Sequence, residues 1–454
     1  MAMNQALREA MNDQIRHELY NEPARSSGGS LRAKAMRKPL FFIGTLFCLA
    51  FLGACRRGPA SPSPAITPSS LPSTLRFTPP PAPSPSPTPT AALVPPSPTP
   101  SASPPSSTPS GSFPLRVEVV ATGLEVPWAL AFAPDGRIFV TERPGRIRVI
   151  ENGQLRPEPV AVLPVAATGE GGLMGLALDP NFAQNGYLYV MYTYRAEGAL
   201  RNRISRLTLR GNTAGEETIL IDGIPGAGIH DGGRLAFGPD GKLYATTGDA
   251  AQRELAQRLD SLAGKILRLN PDGSIPADNP FPGSYVYSYG HRNPQGLAWH
   301  PTTGQLYSTE HGPSGEMGLC CLDELNLIRP GGNYGWPRVT DAPGDPRFVD
   351  PILHSGQDTW APAGMAFVTG ERLAPWKGHL FFGALRGQHL HHVVLSPDGK
   401  AVIFHEELFR GEFGRIRDVV MGPDGALYFT TSNRDGRGRP MPGDDRILRI
   451  VPGP

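Results

Sequence analysis

Four places in this chain set acid, base or guanidinium groups where a loop meets a strand. His230 opens the turn His230-Asp-Gly-Gly, and Asp249 closes Thr246-Thr-Gly-Asp249. The two residues flank the strands of one hairpin, Leu235-Ala-Phe-Gly-Pro-Asp-Gly-Lys-Leu-Tyr-Ala245, so they lie at the same end of it and can meet. A carboxylate behind an imidazole makes an effective base near neutral pH. A turn histidine also serves as a plain hydrogen-bonding residue, and spacing leaves both readings open. The second place is Ser288–Pro313, with Arg292, Asn293 and Gln295 on one flank and Glu310, His311, Gly312 and Pro313 on the other. Such groups beside a rigid sheet describe either a ligand site or a hydrogen-bonded turn network. Glu170 is the third, in the glycine-dense turn Gly169-Glu-Gly-Gly-Leu-Met-Gly175, where backbone can approach a ligand closely or simply connect two units. The fourth is cationic. Arg415 and Arg417 share one strand face at i, i+2. With Arg292 and Arg386 they would build a positive funnel for a polyanion, against the ordinary alternative of solvated surface arginines.

The elements that must position these groups repeat. An apolar strand, a turn of the type Pro-Asp-Gly and an aromatic-rich strand recur at Leu130–Val140, Leu176–Val190, Leu235–Ala245, Leu297–Thr309, Gly364–Gly383 and Val419–Phe429. Turns of this composition between alternating apolar runs read as hairpins. Starts spaced roughly 45 to 70 residues apart suit units of four short strands, the blades of a β-propeller. The expected fold is therefore all-β, a six-bladed propeller over 114–454. Leu115-Arg-Val-Glu-Val-Val-Ala and Arg446-Ile-Leu-Arg-Ile-Val alternate as strands, and the two termini are expected to share a blade and close the ring.

The first quarter of the 454 residues belongs to no core. Residues 1–55 read as an N-terminal extension plus an export signal: Met36-Arg-Lys-Pro precedes an apolar run, Leu40 to Cys55, that is short for a span of roughly 20 residues. An ordinary membrane anchor is the alternative. Leu52-Gly-Ala-Cys55 resembles the bacterial lipobox, whose cysteine is acylated, so the expected location is the extracytoplasmic side of a membrane, tethered by lipid. Residues 56–113 are rich in Pro, Ser and Thr, cannot bury enough apolar surface to fold, and read as a disordered, semi-rigid linker. The formal charge of +2 implies no nucleic-acid partner. Of four cysteines, Cys48 and Cys55 lie in the export segment and Cys320-Cys321 are adjacent, a pair that an oxidising compartment can join.

Read together, 115–453 resembles the soluble pyrroloquinoline quinone (PQQ)-dependent sugar dehydrogenases, above all the aldose sugar dehydrogenase branch of the glucose/sorbosone dehydrogenase family. The phrases that carry the resemblance are GLEVPWALAFAPDGRIFVTER, GEGGLMGLALDPNF, the His230 turn with TTGD, GKILRLNPDGSIPADNPF, YSYGHRNPQGLAWHP, EHGP, DELNLIRPGGNYGWP and GRIRDVVMGPDGALYFTTSN. The resemblance implies a six-bladed propeller with PQQ at the top of the channel. It implies that His230 takes the proton from the anomeric hydroxyl and that Asp249 orients it. Glu170, Arg292, Asn293, Arg415 and Arg417 match cofactor-binding positions, and Arg386 stands where the glucose enzymes have lysine. Gly312 and Pro313 match the positions whose carbonyls bind the calcium beside the quinone; Glu324 and Tyr334 match a second, structural calcium site. Ser314–Leu322, with its cysteine pair, departs from the family as an insertion close to the calcium loop.

The expected activity is oxidation of aldoses to lactones, with electrons passed to an external acceptor. The competing class is a non-catalytic exported propeller that binds carbohydrate or another partner. The complete set of His230, Asp249, Arg292, Asn293, Arg415 and Arg417 separates the two, since a binder would not need all six. A hydrolytic calcium propeller would need carboxylate and amide ligands clustered in the channel, and the sequence offers no such cluster.

Overall fold

The computed structural model describes residues 114–341 and 343–454. The export segment and the linker expected in 1–113 lie outside the described residues. None of the helices formed by the described residues is long and apolar enough to cross a membrane.

Six antiparallel sheets follow one another along the chain. Blade 1 starts with Pro127–Phe132, Ile138–Glu142 and Arg146–Glu151; blade 2 runs from Leu173–Leu178 to Thr213–Pro225. Blade 3 comprises Leu235–Phe237, Leu243–Thr247, Lys265–Leu269 and Val286–Tyr289, and blade 4 comprises Pro294–Trp299, Leu306–Glu310, Glu324–Ile328 and Leu353–His354. Blade 5 comprises Pro362–Phe367, Leu380–Ala384, His389–Leu395 and Val402–Leu408. Blade 6 takes Ile416–Met421, Leu427–Thr431 and Ile447–Pro452 from the end of the chain and its outer strand, Leu115–Ala121, from the start. This is the six-bladed β-propeller expected from the repeats, with the termini sharing a blade.

The repeated turn explains itself. In blades 1, 3 and 6 the Asp of Pro-Asp-Gly accepts the N–H two residues on: Asp135 from Arg137 at 3.1 Å, Asp240 from Lys242 at 3.1 Å, Asp424 from Ala426 at 3.2 Å. The glycine takes a left-handed φ of 89°, 69° and 77° in the three copies, which a side chain would disfavour. Short hairpins of fixed register result. The second strands of blades 1, 3, 4, 5 and 6 are buried along their whole length. Each is covered on both faces, because the apolar cores lie between neighbouring blades. One core joins blades 1 to 3, others join 3 to 4, 4 to 5 and 5 to 6, and the last joins 6 back to 1.

Candidate active site

Strand register decides where the polar residues go. In blades 1, 4, 5 and 6 the start of the first strand pairs with the end of the second, Pro127 with Glu142, Pro294 with Glu310, Pro362 with Ala384 and Ile416 with Thr431, and in blade 3 Leu235 pairs with Ala245 near the end of the second strand. Loops that precede a first strand and loops that follow a second strand therefore share one face of the ring. Glu170, His230, Arg292, Asn293 and Arg415 sit in the former; Asp249, His311, Gly312, Pro313 and Arg386 sit in the latter.

On that face His230 Nδ1 lies 2.8 Å from Asp249 Oδ1. The carboxylate can only accept, so it holds the ring proton on Nδ1 and leaves the Nε2 lone pair free. Asp249 is itself fixed, with Oδ1 accepting Ala251 N–H at 2.9 Å and Oδ2 accepting Trp336 Nε1–H at 2.8 Å. The pair borders a cleft of about 470 Å³ lined also by Ile229, Ala251, Gln252, Leu255, Glu316 and Trp336. The backbone here is held in sparsely populated conformations, with φ of 61° at His230, 53° at Ala250 and 57° at Ala251. Close packing enforces them. A Cβ on Gly248 would stand 2.0 Å from the His230 carbonyl oxygen, so only glycine admits the His230 turn there.

Glu170 meets this turn from the side. Its Oε2 accepts His230 N–H at 3.1 Å and its Oε1 accepts Arg437 Nη1 at 2.6 Å. Burial pushes the Glu170 carboxyl up, but the neighbouring His311, the His230 N–H and Arg437 outweigh it and hold it down at about 2. Asn293 is locked by accepting Gly232 N–H at 3.0 Å, which ties blade 4 to the His230 turn.

The arginines are buried, against the solvated alternative. Arg292 is 3% exposed, Arg415 6% and Arg417 5%. Arg415 Nε donates to Asp435 at 2.7 Å and its Nη1 to the Leu385 carbonyl at 3.2 Å. Arg417 reaches across the channel to Gln295 Oε1 and lies over the Trp128 ring. Burial pulls Arg417 down to about 9, which leaves it cationic at pH 7. Beneath it, Arg234 joins blade 3 to blade 6 through Asp418 at 2.9 Å. Arg386 is different: it is exposed on the rim, next to the Leu385 carbonyl that Arg415 holds. Four buried guanidinium nitrogens have no hydrogen-bond partner among the described residues; Arg148 Nε lies in blade 1, and the other three, Arg292 Nε, Arg417 Nε and Arg234 Nη2, belong to the arginines described above. Buried donors without acceptors suit a ligand rich in carboxylate and carbonyl oxygens.

The loop after the second strand of blade 4 is shaped by Asp323. Its Oδ1 accepts Gly312 N–H at 2.9 Å, and its Oδ2 accepts Trp360 N–H at 2.7 Å and Ala361 N–H at 2.9 Å. The carbonyls of Cys321 and Leu322 crowd Gly312, lying 2.0 and 2.3 Å from where its Cβ would be. Close by, Glu324 faces Glu310 across the strand pair. Burial, and then Glu310, raise Glu324 well above the usual carboxylate range. The Tyr334 hydroxyl donates to the Leu327 carbonyl at 2.7 Å and accepts Arg329 N–H at 2.8 Å, so it is held within its own loop, and the main-chain carbonyl is the harder donor that Tyr334 offers a cation. Carboxylates and carbonyls are the hard donors that calcium takes.

Sequence comparison gives this arrangement its kin. The model of the Glucose / Sorbosone dehydrogenase family matches residues 124–448. The chain belongs to that family. An aldose sugar dehydrogenase of Escherichia coli is 34% identical over 354 residues, 71% of this chain and 91% of the relative. Among solved structures, one from Thermus thermophilus, described as a candidate oxidoreductase (glucose dehydrogenase), is 53% identical, with a TM-score of 0.69 over 74% of this chain and 100% of that one. The PQQ-bound form of an aldose sugar dehydrogenase from Streptomyces coelicolor is 40% identical, with a TM-score of 0.66 over 74% of this chain and 98% of that one.

In this glucose/sorbosone dehydrogenase family member, Glu170, His230, Asp249, Arg292, Asn293, Gly312, Pro313 and Arg415 sit in loops of one face, Arg417 and Glu324 in the strands next to it, Tyr334 in a blade 4 loop and Arg386 at the rim. It also adds residues that sequence reading passed over. Trp336 and Asp323 act through buried hydrogen bonds that no local spacing announces. Glu316 comes from the expected insertion, where Cys320 and Cys321 are joined as a disulfide. Its carboxylate takes Arg292 Nη2 and stands 4.0 Å from His230 Nε2. The insertion was legible; its reach into the site was not.

Proposed function

We propose that the chain oxidises aldose sugars at the anomeric carbon to lactones, with PQQ and calcium as its cofactors. The observation that carries this reading is the His230–Asp249 pair opening onto a cleft beside buried guanidinium nitrogens without acceptors. Family membership supports sugar oxidation, and the Streptomyces coelicolor relative binds PQQ. Arg292, Asn293, Arg415 and Arg417 would hold the quinone, Glu170 would stand beside it, and Arg386 would meet it from the rim. Gly312 and Pro313 would offer carbonyls to a calcium ion next to it, and Glu324 with the Tyr334 carbonyl to a second ion. PQQ, when bound, supplies the acceptor for the hydride that leaves C1.

The chain's own part is proton removal and positioning. His230 Nε2 takes the anomeric hydroxyl proton, so that the developing positive charge at C1 is neutralised as the carbonyl forms. Asp249 keeps Nδ1 protonated and stabilises the imidazolium that results. Trp336 and Gly248 keep the pair in line. An external acceptor takes the electrons onward. We place the enzyme on the extracytoplasmic side of a membrane, tethered through a lipidated Cys55 and held off the surface by residues 56–113.

The purified chain, reconstituted with PQQ and Ca²⁺ and given a panel of sugars with an artificial acceptor, should oxidise aldoses. Chelation should abolish the activity and Ca²⁺ restore it. A reconstituted, PQQ-loaded chain that oxidises no aldose would refute the proposal.

A further inference from the structure

Five of the chain's 11 histidines, His379, His389, His391, His392 and His405, fall in blade 5. Three of them share one face of its outer strands. His389 and His391 alternate along the third strand, and Glu407 of the fourth pairs with His391 in register. His389 Nδ1 donates to the Gly387 carbonyl at 2.8 Å, which leaves its Nε2 as a lone pair. That lone pair faces His391 Nε2 at 2.7 Å, and Glu407 Oε1 lies 3.5 Å from His389 Nε2. His391 Nδ1 in turn meets His405 Nε2 at 2.6 Å. The ligand atoms of His389, His391 and Glu407 all fall within 4.8 Å of one another.

We propose that His389, His391 and Glu407 form a binding site for one divalent transition-metal ion of the zinc class. The site is separate from the calcium-type donors of the blade 4 loops, and its chemistry is different: two imidazoles and a carboxylate suit zinc, whereas calcium takes oxygen alone. The supporting shell is already in place. Ligating histidines characteristically hydrogen-bond through their other nitrogen, and here Gly387 and His405 take that role. The Phe382 ring, stacked on His391 at 4.1 Å, fixes the plane of one ligand.

Proton balance needs no outside partner. Before binding, His391 carries its proton on Nε2 and His405 donates to His391 Nδ1. On binding, His391 moves its proton to Nδ1 and donates to His405 Nε2, and His405 carries its own on Nδ1. The number of protons on the three rings is unchanged. Metal–nitrogen bonds of 2.0–2.1 Å at a tetrahedral angle need the two nitrogens roughly 3.3 Å apart, so the rings must part by about 0.6 Å. Arg410, which holds Glu407, is exposed and must yield the carboxylate to the ion. Three protein ligands leave a fourth position open.

The inference does not depend on the sugar-oxidising reading and is tested apart from it. The untagged full chain, stripped of transition metals and kept in excess Ca²⁺ to fill oxygen-donor sites, is titrated with Co²⁺ while its visible ligand-field bands are followed. One equivalent should bind with the intense bands of a four-coordinate ion. His391→Asn should abolish them, Glu407→Gln should weaken binding at least tenfold, and His405→Ala should weaken it roughly 10–100-fold. Glu407 is partly exposed, so Glu407→Gln decides the matter if His391→Asn does not fold. Sugar oxidation by Glu407→Gln reports on the other reading and should match the parent. No saturable band in the parent, or the same affinity in Glu407→Gln, would reduce the cluster to a hydrogen-bonded imidazole chain and overturn the proposal.

Discussion

His230 owes its free nitrogen to the bond made by the other one. Asp249 fixes the tautomer at 2.8 Å, Trp336 fixes Asp249, and the left-handed turn aims the ring at the cleft. The arginines show the same dependence on neighbours. Arg417 spends one end on Gln295 and lies over Trp128, yet its Nε finds nothing among the described residues. If that donor belongs to a bound quinone, Arg417→Ala and Arg415→Ala should each weaken PQQ binding by roughly 1.5–3 kcal/mol, the weight of a charged hydrogen bond. Quinone titrations that match the parent in both variants would remove these residues from the cofactor site.

At the level of elements, the loop joining blades 2 and 3 carries a buried acid beside the base. Asp231 Oδ1 accepts Asn202 Nδ2 at 2.8 Å and Ala227 N–H at 3.0 Å, while Oδ2 has no partner among the described residues. Burial pushes Asp231 up to about 7. The unfolded group titrates near 3.9, so its share of stability is present in full below that pH and is lost as pH rises through the folded value, to the extent of about 4 kcal/mol. Asp231→Asn keeps the accepting oxygen and removes the charge. The variant should therefore gain stability relative to the parent between pH 4 and pH 8, read as denaturant midpoints; a difference that does not change with pH would contradict the account. The fold itself was legible because the Pro-Asp-Gly turns recur with one hydrogen-bond pattern and each start of a repeat marks a first strand. Much of the site was legible for a related reason, since residues flanking one hairpin share an end. Glu316, Trp336, Asp323 and the Arg234–Asp418 bridge were not. Trp336 lies 87 residues from Asp249, and Arg234 and Asp418 meet only because blades 3 and 6 face one channel, whereas Asp323 and Glu316 act in and beside the blade 4 loops on backbone N–H groups and an arginine that no sequence period marks.

At the scale of the whole molecule, closure is made by the first strand. Leu115–Ala121 pairs with Ile447–Pro452, and the core between blades 6 and 1 seals the ring. Tethering is the task proposed for the residues before that strand. Cys55→Ala should release the protein from the membrane fraction or mislocalise it; a variant that fractionates like the parent would rule out the lipid anchor. Blade 5 carries the rim arginine at one turn and the proposed metal ligands on its outer strands.

The account stands on His230 as the base, and the reduction of bound PQQ by sugar in a single turnover isolates that step from acceptor chemistry. The full chain reconstituted with PQQ and Ca²⁺ is mixed rapidly with an aldose and the quinone spectrum is followed. His230→Ala should bind the quinone as the parent does and reduce it slower by about 10²–10⁴-fold, the usual weight of a general base. If His230→Ala reduces its quinone as fast as the parent, the proton leaves by another route and the central claim is wrong.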